Sequence, residues 1–253
     1  MTKQVPESER ALLPGPGLID VRMMLVAHTN FRRELGLSPA AVRRVADGDR
    51  PRVALVADHV TLFLDLLHHH HSIEDELLWG ALLPRVPDEL APLVRLMESQ
   101  HECVSALLAE SHAAVAVWRG TGTSADGTRL AGVLERLTTA LFEHLHAEET
   151  HLLPVMARHI TAAEWGAFTE AGMSSIPKRL MFLGFGMMLY EGDADAIAIE
   201  LGKVPAPARL LLPPLGRRAY RRYARSIHGT ATPAKGVGAA SSLNQLPANT
   251  EES

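Results

Sequence analysis

The sequence predicts an all-α protein, an antiparallel up-down four-helix bundle with a C-terminal helical extension. Leu and Ala dominate an apolar fraction of 47%, while aromatics reach only 5%, which favours helices over sheets rich in β-branched residues. Apolar residues recur at helical spacing through most of residues 18–160. The breaks between these stretches are short, as helices packed side by side and antiparallel require.

Residues 1–17 are polar and rich in Pro and Gly and read as a flexible leader. The first helix is expected from Leu18 to Gly36, with Gly36 and Ser38-Pro39 as its stop and a short helical piece over Ala40–Ala46. Asp47–Pro51 breaks the pattern, and Arg52–Leu83 reads as one long second helix ended by Pro84. Asp88 is placed to cap a third helix running to about Arg119. The polar stretch Gly120–Gly127 then leads into a fourth, Thr128 to about His159, with a kink or early end expected at Pro154. Thr161 and Glu164 match a capping box for a helix through Ala171, and Pro177 can open another through Glu191. Shorter helices are expected to His228, so the extension is 161–228, and the Ala/Ser/Thr/Gly-rich tail 229–253 is too poor in large apolar residues to order itself.

Composition narrows the function classes. A formal net charge of −4 gives no reason to expect nucleic acid or an anionic membrane as the main partner. The one cysteine, Cys103, excludes an intramolecular disulfide framework and a multi-cysteine metal site, which suits a reducing cytoplasm. The longest apolar run, Leu180–Tyr190, is too short to cross a bilayer, and no Walker A loop or dinucleotide fingerprint is present. Cys103 with His101 makes a poor nucleophilic pair, because positions two apart on a helix face different ways. The basic run from Arg217 to Arg225, interleaved with Tyr220 and Tyr223, reads as a solvated helix face.

The histidines carry more. Twelve of the thirteen fall between residues 28 and 159, inside the expected bundle, and they repeat in register. His70 to Glu74-Asp75 and Leu78 is mirrored by His144 to Glu148-Glu149 and Leu152, both reading H-x3-E-[DE]-x2-L. Lone histidines precede the pairs, His28 and His101, 73 residues apart, while the pairs are 74 apart. Positions i and i+4 share a helix face, so each pair offers an imidazole and a carboxylate together. A duplicated helical hairpin would turn both faces inward and gather His28, His70, Glu74, His101, His144 and Glu148 at mid-core. That donor set suits iron, with zinc or manganese as alternatives, and buried glutamates would cost several kcal/mol without a cationic partner.

These positions resemble the hemerythrin-like family, of the actinobacterial type with a C-terminal helical extension. Its bundles carry a histidine on helix one, H-x3-E on helix two, a histidine on helix three and a histidine–carboxylate pair on helix four. The resemblance covers about residues 18–160 and implies a non-haem di-iron centre of two iron ions, held by the six residues just named. Two departures bear on its chemistry. Oxygen carriers of the family have a second histidine one turn after the first on helix three, and here that position is Ser105. Iron-sensing members place a carboxylate directly after the helix-two histidine, and here His71 stands there as a further candidate ligand. Glu149 competes with Glu148, and Glu148 is favoured because it repeats Glu74.

The expectation is a soluble cytoplasmic protein binding or reducing oxygen, nitric oxide or hydrogen peroxide, with no nucleic acid or membrane partner. An iron- and oxygen-responsive regulatory module is the alternative from another class. A ferritin-like di-iron carboxylate oxidase is the alternative ligand set, because Glu98-x-x-His101 and Glu148-x-x-His151 have that spacing. His59, His112 and His151 lie near the same stripe, as ordinary polar residues toward the bundle ends or as support for the site.

Overall fold

The computed structural model describes residues 18–86, 91–174 and 176–236. The expected leader, the Asp88 cap and the tail from residue 237 lie outside these. Four long helices form an antiparallel ring: α1 (Arg22–Arg43), α2 (Arg50–Glu74), α3 (Ala91–Thr121) and α4 (Ser124–Ala147). Each packs against its two neighbours, α1 on α2 and α4, α3 on α2 and α4. The fold is all-α, as the sequence predicts.

Side-chain caps fix several starts. Asp49 accepts from the Arg52 amide (3.1 Å) ahead of α2, and Thr123 accepts from Asp126 (3.2 Å) ahead of α4. The Thr161/Glu164 capping box closes in both directions at the start of α6 (Ala162–Ser174).

Two expected breaks differ. α1 does not stop at Gly36 but runs through Pro39 to Arg43. Continued burial of Leu35, Ala41 and Val42 outweighs the backbone hydrogen bond the proline forfeits, and the bare Cα of Gly36 lets the Phe142 ring pack close by. Within helices two and four the chain loosens into single π-helical turns, Asp75–Trp79 and Glu148–Leu152, each beginning at the carboxylate pair of its H-x3-E-[DE] motif. After the second, Pro154 opens α5 (Leu153–His159), so the irregularity expected at the proline falls one turn ahead of it, where the wider turn relieves the clash with the preceding carbonyl.

The core is two apolar clusters separated by a polar belt. One holds Phe31, Leu67, Val104, Leu141 and Leu145; the other holds Met24, Ile73, Leu78, Met97 and Leu152. On each of the four helices the motif histidine sits between a residue of one cluster and a residue of the other, which brings the six predicted positions to one level.

After α6, which begins the 161–228 segment, come helices α7 (Met181–Glu191), α8 (Ala194–Gly202) and α9 (Ala206–His228). α7 and α9 pack tightly together, and both reach α1. Residues 229–236 lie back against this layer, where the Tyr190 hydroxyl donates to the Pro233 carbonyl (2.6 Å) and the Gly236 amide to Glu191 (3.3 Å).

Candidate metal centre

The six predicted residues converge. His28, Glu74, Glu148 and His144 are fully buried, and His70 and His101 nearly so. Two trios form, His28 with His70 and Glu74, and His101 with His144 and His71, the candidate donor atoms of each within 4.8 Å of one another. The carboxylates sit between them: Glu74 lies 3.2 Å from His70 Nε2 and 3.5 Å from His101 Nε2, while Glu148 lies 3.4 Å from His28 Nε2 and 3.7 Å from His144 Nε2.

Outer contacts aim the rings. His28 Nδ1 meets Glu149 at 2.9 Å, His101 Nδ1 meets Asp75 at 2.7 Å, and His144 Nδ1 meets the Gln100 side-chain oxygen at 3.3 Å. An Nδ1–H donated outward leaves the Nε2 lone pair facing inward, the arrangement a metal-binding histidine needs. In turn Arg32 holds Glu149 with two hydrogen bonds, and the Trp79 indole donates to Asp75 at 2.8 Å. Glu149 is therefore turned outward to His28 and Arg32 while Glu148 faces the cluster. Asp75 and Glu149 do the same task in the two repeats, a role that the shared E-[DE] dipeptide signals once the helix registers are known.

Electrostatics make the belt an unfavourable place for protons and bare charge. Burial, then the facing Glu148 and Asp75, push the Glu74 carboxyl well above its usual range, and burial likewise raises Glu148. Burial and the neighbouring imidazoles hold His70 and His71 well below 6.5 and His144 down at about 2, so these rings are neutral. Meanwhile the four carboxylate oxygens of Glu74 and Glu148, both His71 nitrogens and Nε2 of His28 and His70 are buried without a hydrogen-bond partner in the protein. Orphaned polar atoms at this density are rare in folded proteins, and metal cations would satisfy the carboxylate oxygens and the imidazole lone pairs among them.

The chain matches the hemerythrin HHE cation-binding domain over residues 20–156. It belongs to that family. Nothing among curated proteins or solved structures matches it. For this hemerythrin-like chain the neutral imidazoles and paired carboxylates fit resident metal cations by donor type and by their unmet bonding capacity.

The other histidines lie elsewhere. His68, His146 and His151 are exposed, and with His151 outside the belt and Glu98 only half-buried the two E-x-x-H spacings do not converge. His112 is half-buried beside Asp65 (3.4 Å). His59 belongs to a separate buried group: its Nδ1 meets the Tyr223 hydroxyl at 2.7 Å, and Glu34 accepts from Tyr220 at 2.8 Å and meets His228 Nε2 at 2.9 Å. Sequence reasoning missed Glu34 and His228 because nothing in their spacing links α1 to the end of α9. No described helix is long and apolar enough to cross a membrane.

Proposed function

We propose that the centre holds two iron ions, and that His28, His70, Glu74, His101, His144, Glu148 and His71 would be the residues that hold them. On this reading His71 supplies the imidazole that Ser105 does not. Such a pair would bring reversible redox chemistry, used to bind or reduce oxygen, nitric oxide or hydrogen peroxide. The protein's own part is to keep His70, His71 and His144 neutral, orient the His28, His101 and His144 rings through Glu149, Asp75 and Gln100, and exclude bulk water with apolar packing above and below the belt.

The observation that carries the reading is the pair of buried carboxylates whose oxygens find no donor in the protein. After anaerobic Fe(II) reconstitution, elemental analysis of the full chain is expected to give two irons, both lost in the Glu74→Ala/Glu148→Ala double variant. Addition of peroxide or nitric oxide should then change the optical spectrum of the loaded wild type. Less than one iron per wild-type chain would refute the reading.

A further inference from the structure

The two repeats of the centre are closed differently. Four residues after His28 stands Arg32, and its guanidinium clamps Glu149, which is 4% exposed, over the His28 ring. Four residues after His101 the equivalent position is Ser105, which is exposed, and the matching carboxylate Asp75 is left 53% exposed. Where the first repeat is sealed, the second opens on a cleft of about 450 Å³ between α2 and α3, with Asp75, Glu98, Glu102 and Ser105 at its walls and His71 and His101 among the residues that line it.

His71 ties this cleft to the centre. It is 5% exposed, its two ring nitrogens have no partner, and its ring stacks on His101 at 4.2 Å. The cleft's charge has one sign: Asp75, Glu98 and Glu102 are on its walls and no Lys or Arg is among its lining residues. Neither Glu98 nor Glu102 forms an ion pair among the described residues, so their charge acts on whatever enters. Negatively lined clefts concentrate cations and repel anions.

We propose that this cleft is the entrance to the centre, that metal cations and small uncharged ligands pass through it, and that anions are held back. The inference rests on the metal-centre reading above and adds its route and its charge selection. It favours neutral substrates, hydrogen peroxide, oxygen or nitric oxide, over anionic ones such as superoxide or nitrite.

The test is the rate of Fe(II) uptake by the metal-free full chain, with the rate of iron removal by a chelator as a second readout. Ser105→Arg would repeat the Arg32 clamp on Asp75 and close the cleft; uptake and removal are expected to slow at least tenfold with the final iron content unchanged. Glu98→Gln/Glu102→Gln leaves the passage open, and is expected to slow Fe(II) uptake severalfold at low salt while speeding azide binding to the loaded protein. If Ser105→Arg does not fold, the double glutamine variant and its salt dependence decide. Wild type that loads iron at a rate neither variant changes would overturn the entrance and leave the metal centre standing. Wild type that takes up no iron would overturn both.

Discussion

Glu74 shows how a residue can be kept at a cost to the fold. Its carboxyl is fully buried, faces Glu148 and is pushed well above its normal pKa first by burial and then by that neighbour. A group raised in this way favours its neutral form, so in the metal-free protein its contribution to stability falls as pH rises from the unfolded value of about 4.5. Glu74→Gln removes the charge and keeps the shape; the metal-free variant is expected to be more stable than metal-free wild type by about 1 kcal/mol at pH 8, measured by urea unfolding, while binding metal poorly. A variant less stable than wild type without metal would show that the carboxylate is structurally satisfied in some other way. The placing of Glu74 on an inward face was legible from its spacing to His70. His71 was legible as a further candidate on the same face, but its partner was not, because a single helical wheel leaves it at the edge of the buried stripe until α3 supplies the His101 ring against which it stacks.

At the scale of elements, the repeat of lone histidine and H-x3-E named the helices that build the centre and their order. Two features escaped it for physical reasons. The π-helical turns that begin at Asp75 and Glu148 each absorb one extra residue, a single phase shift near the end of a helix that is too brief to read from apolar periodicity. The run of α1 through Pro39 reflects burial overriding a local stop. A third feature is the crossing of α7 and α9, where a Cβ on Gly186 would lie 2.0 Å from the Gly216 carbonyl oxygen, with the Tyr220 Cβ at 3.0 Å. Neither partner is the free end of a flexible side chain, so the helices would have to separate. Gly186→Ala is expected to lower stability by about 1–3 kcal/mol in thermal or urea unfolding, and protease should cut residues 178–228 faster while metal content is kept. An unchanged melting temperature would mean that the two helices are free to move apart.

For the whole molecule the question is what couples the extension to the bundle. Its α-helical character was expected, but its manner of attachment was not, because the joining side chains lie far apart in the chain. Glu34 on α1, itself 0% exposed, is bound by Arg33 (2.7 Å), Tyr220 and His228, and His59 on α2 contacts Tyr223 and, through Nε2, the Ser38 hydroxyl at 3.2 Å. Burial acting alone would raise the Glu34 carboxyl, but the hydrogen bond from His228 and the charges of Arg33, His59 and His228 more than offset it and hold the group at about 2. Burial is also the main influence on His59 and lowers it to about 4 against the opposing pull of Glu34. The two shifts act in successive windows. A histidine whose folded pKa is depressed stabilises fully above its unfolded value of 6.5 and loses that contribution as pH falls toward 4; the depressed Glu34 contribution is complete above 4.5 and fades toward 2. The attachment of the extension is therefore expected to weaken on acidification, beginning near pH 6.5, with a slope from His59 of at most about 1.4 kcal/mol per pH unit. His70, His71 and His144 are also held low, so the comparison has to be between variants: His59→Gln should flatten the stability profile between pH 6.5 and 4 relative to wild type, and Glu34→Gln should flatten it below 4.5. Urea unfolding followed at several pH values measures both, and profiles for His59→Gln and wild type that run parallel through that window would show that His59 is not what makes the junction acid-sensitive.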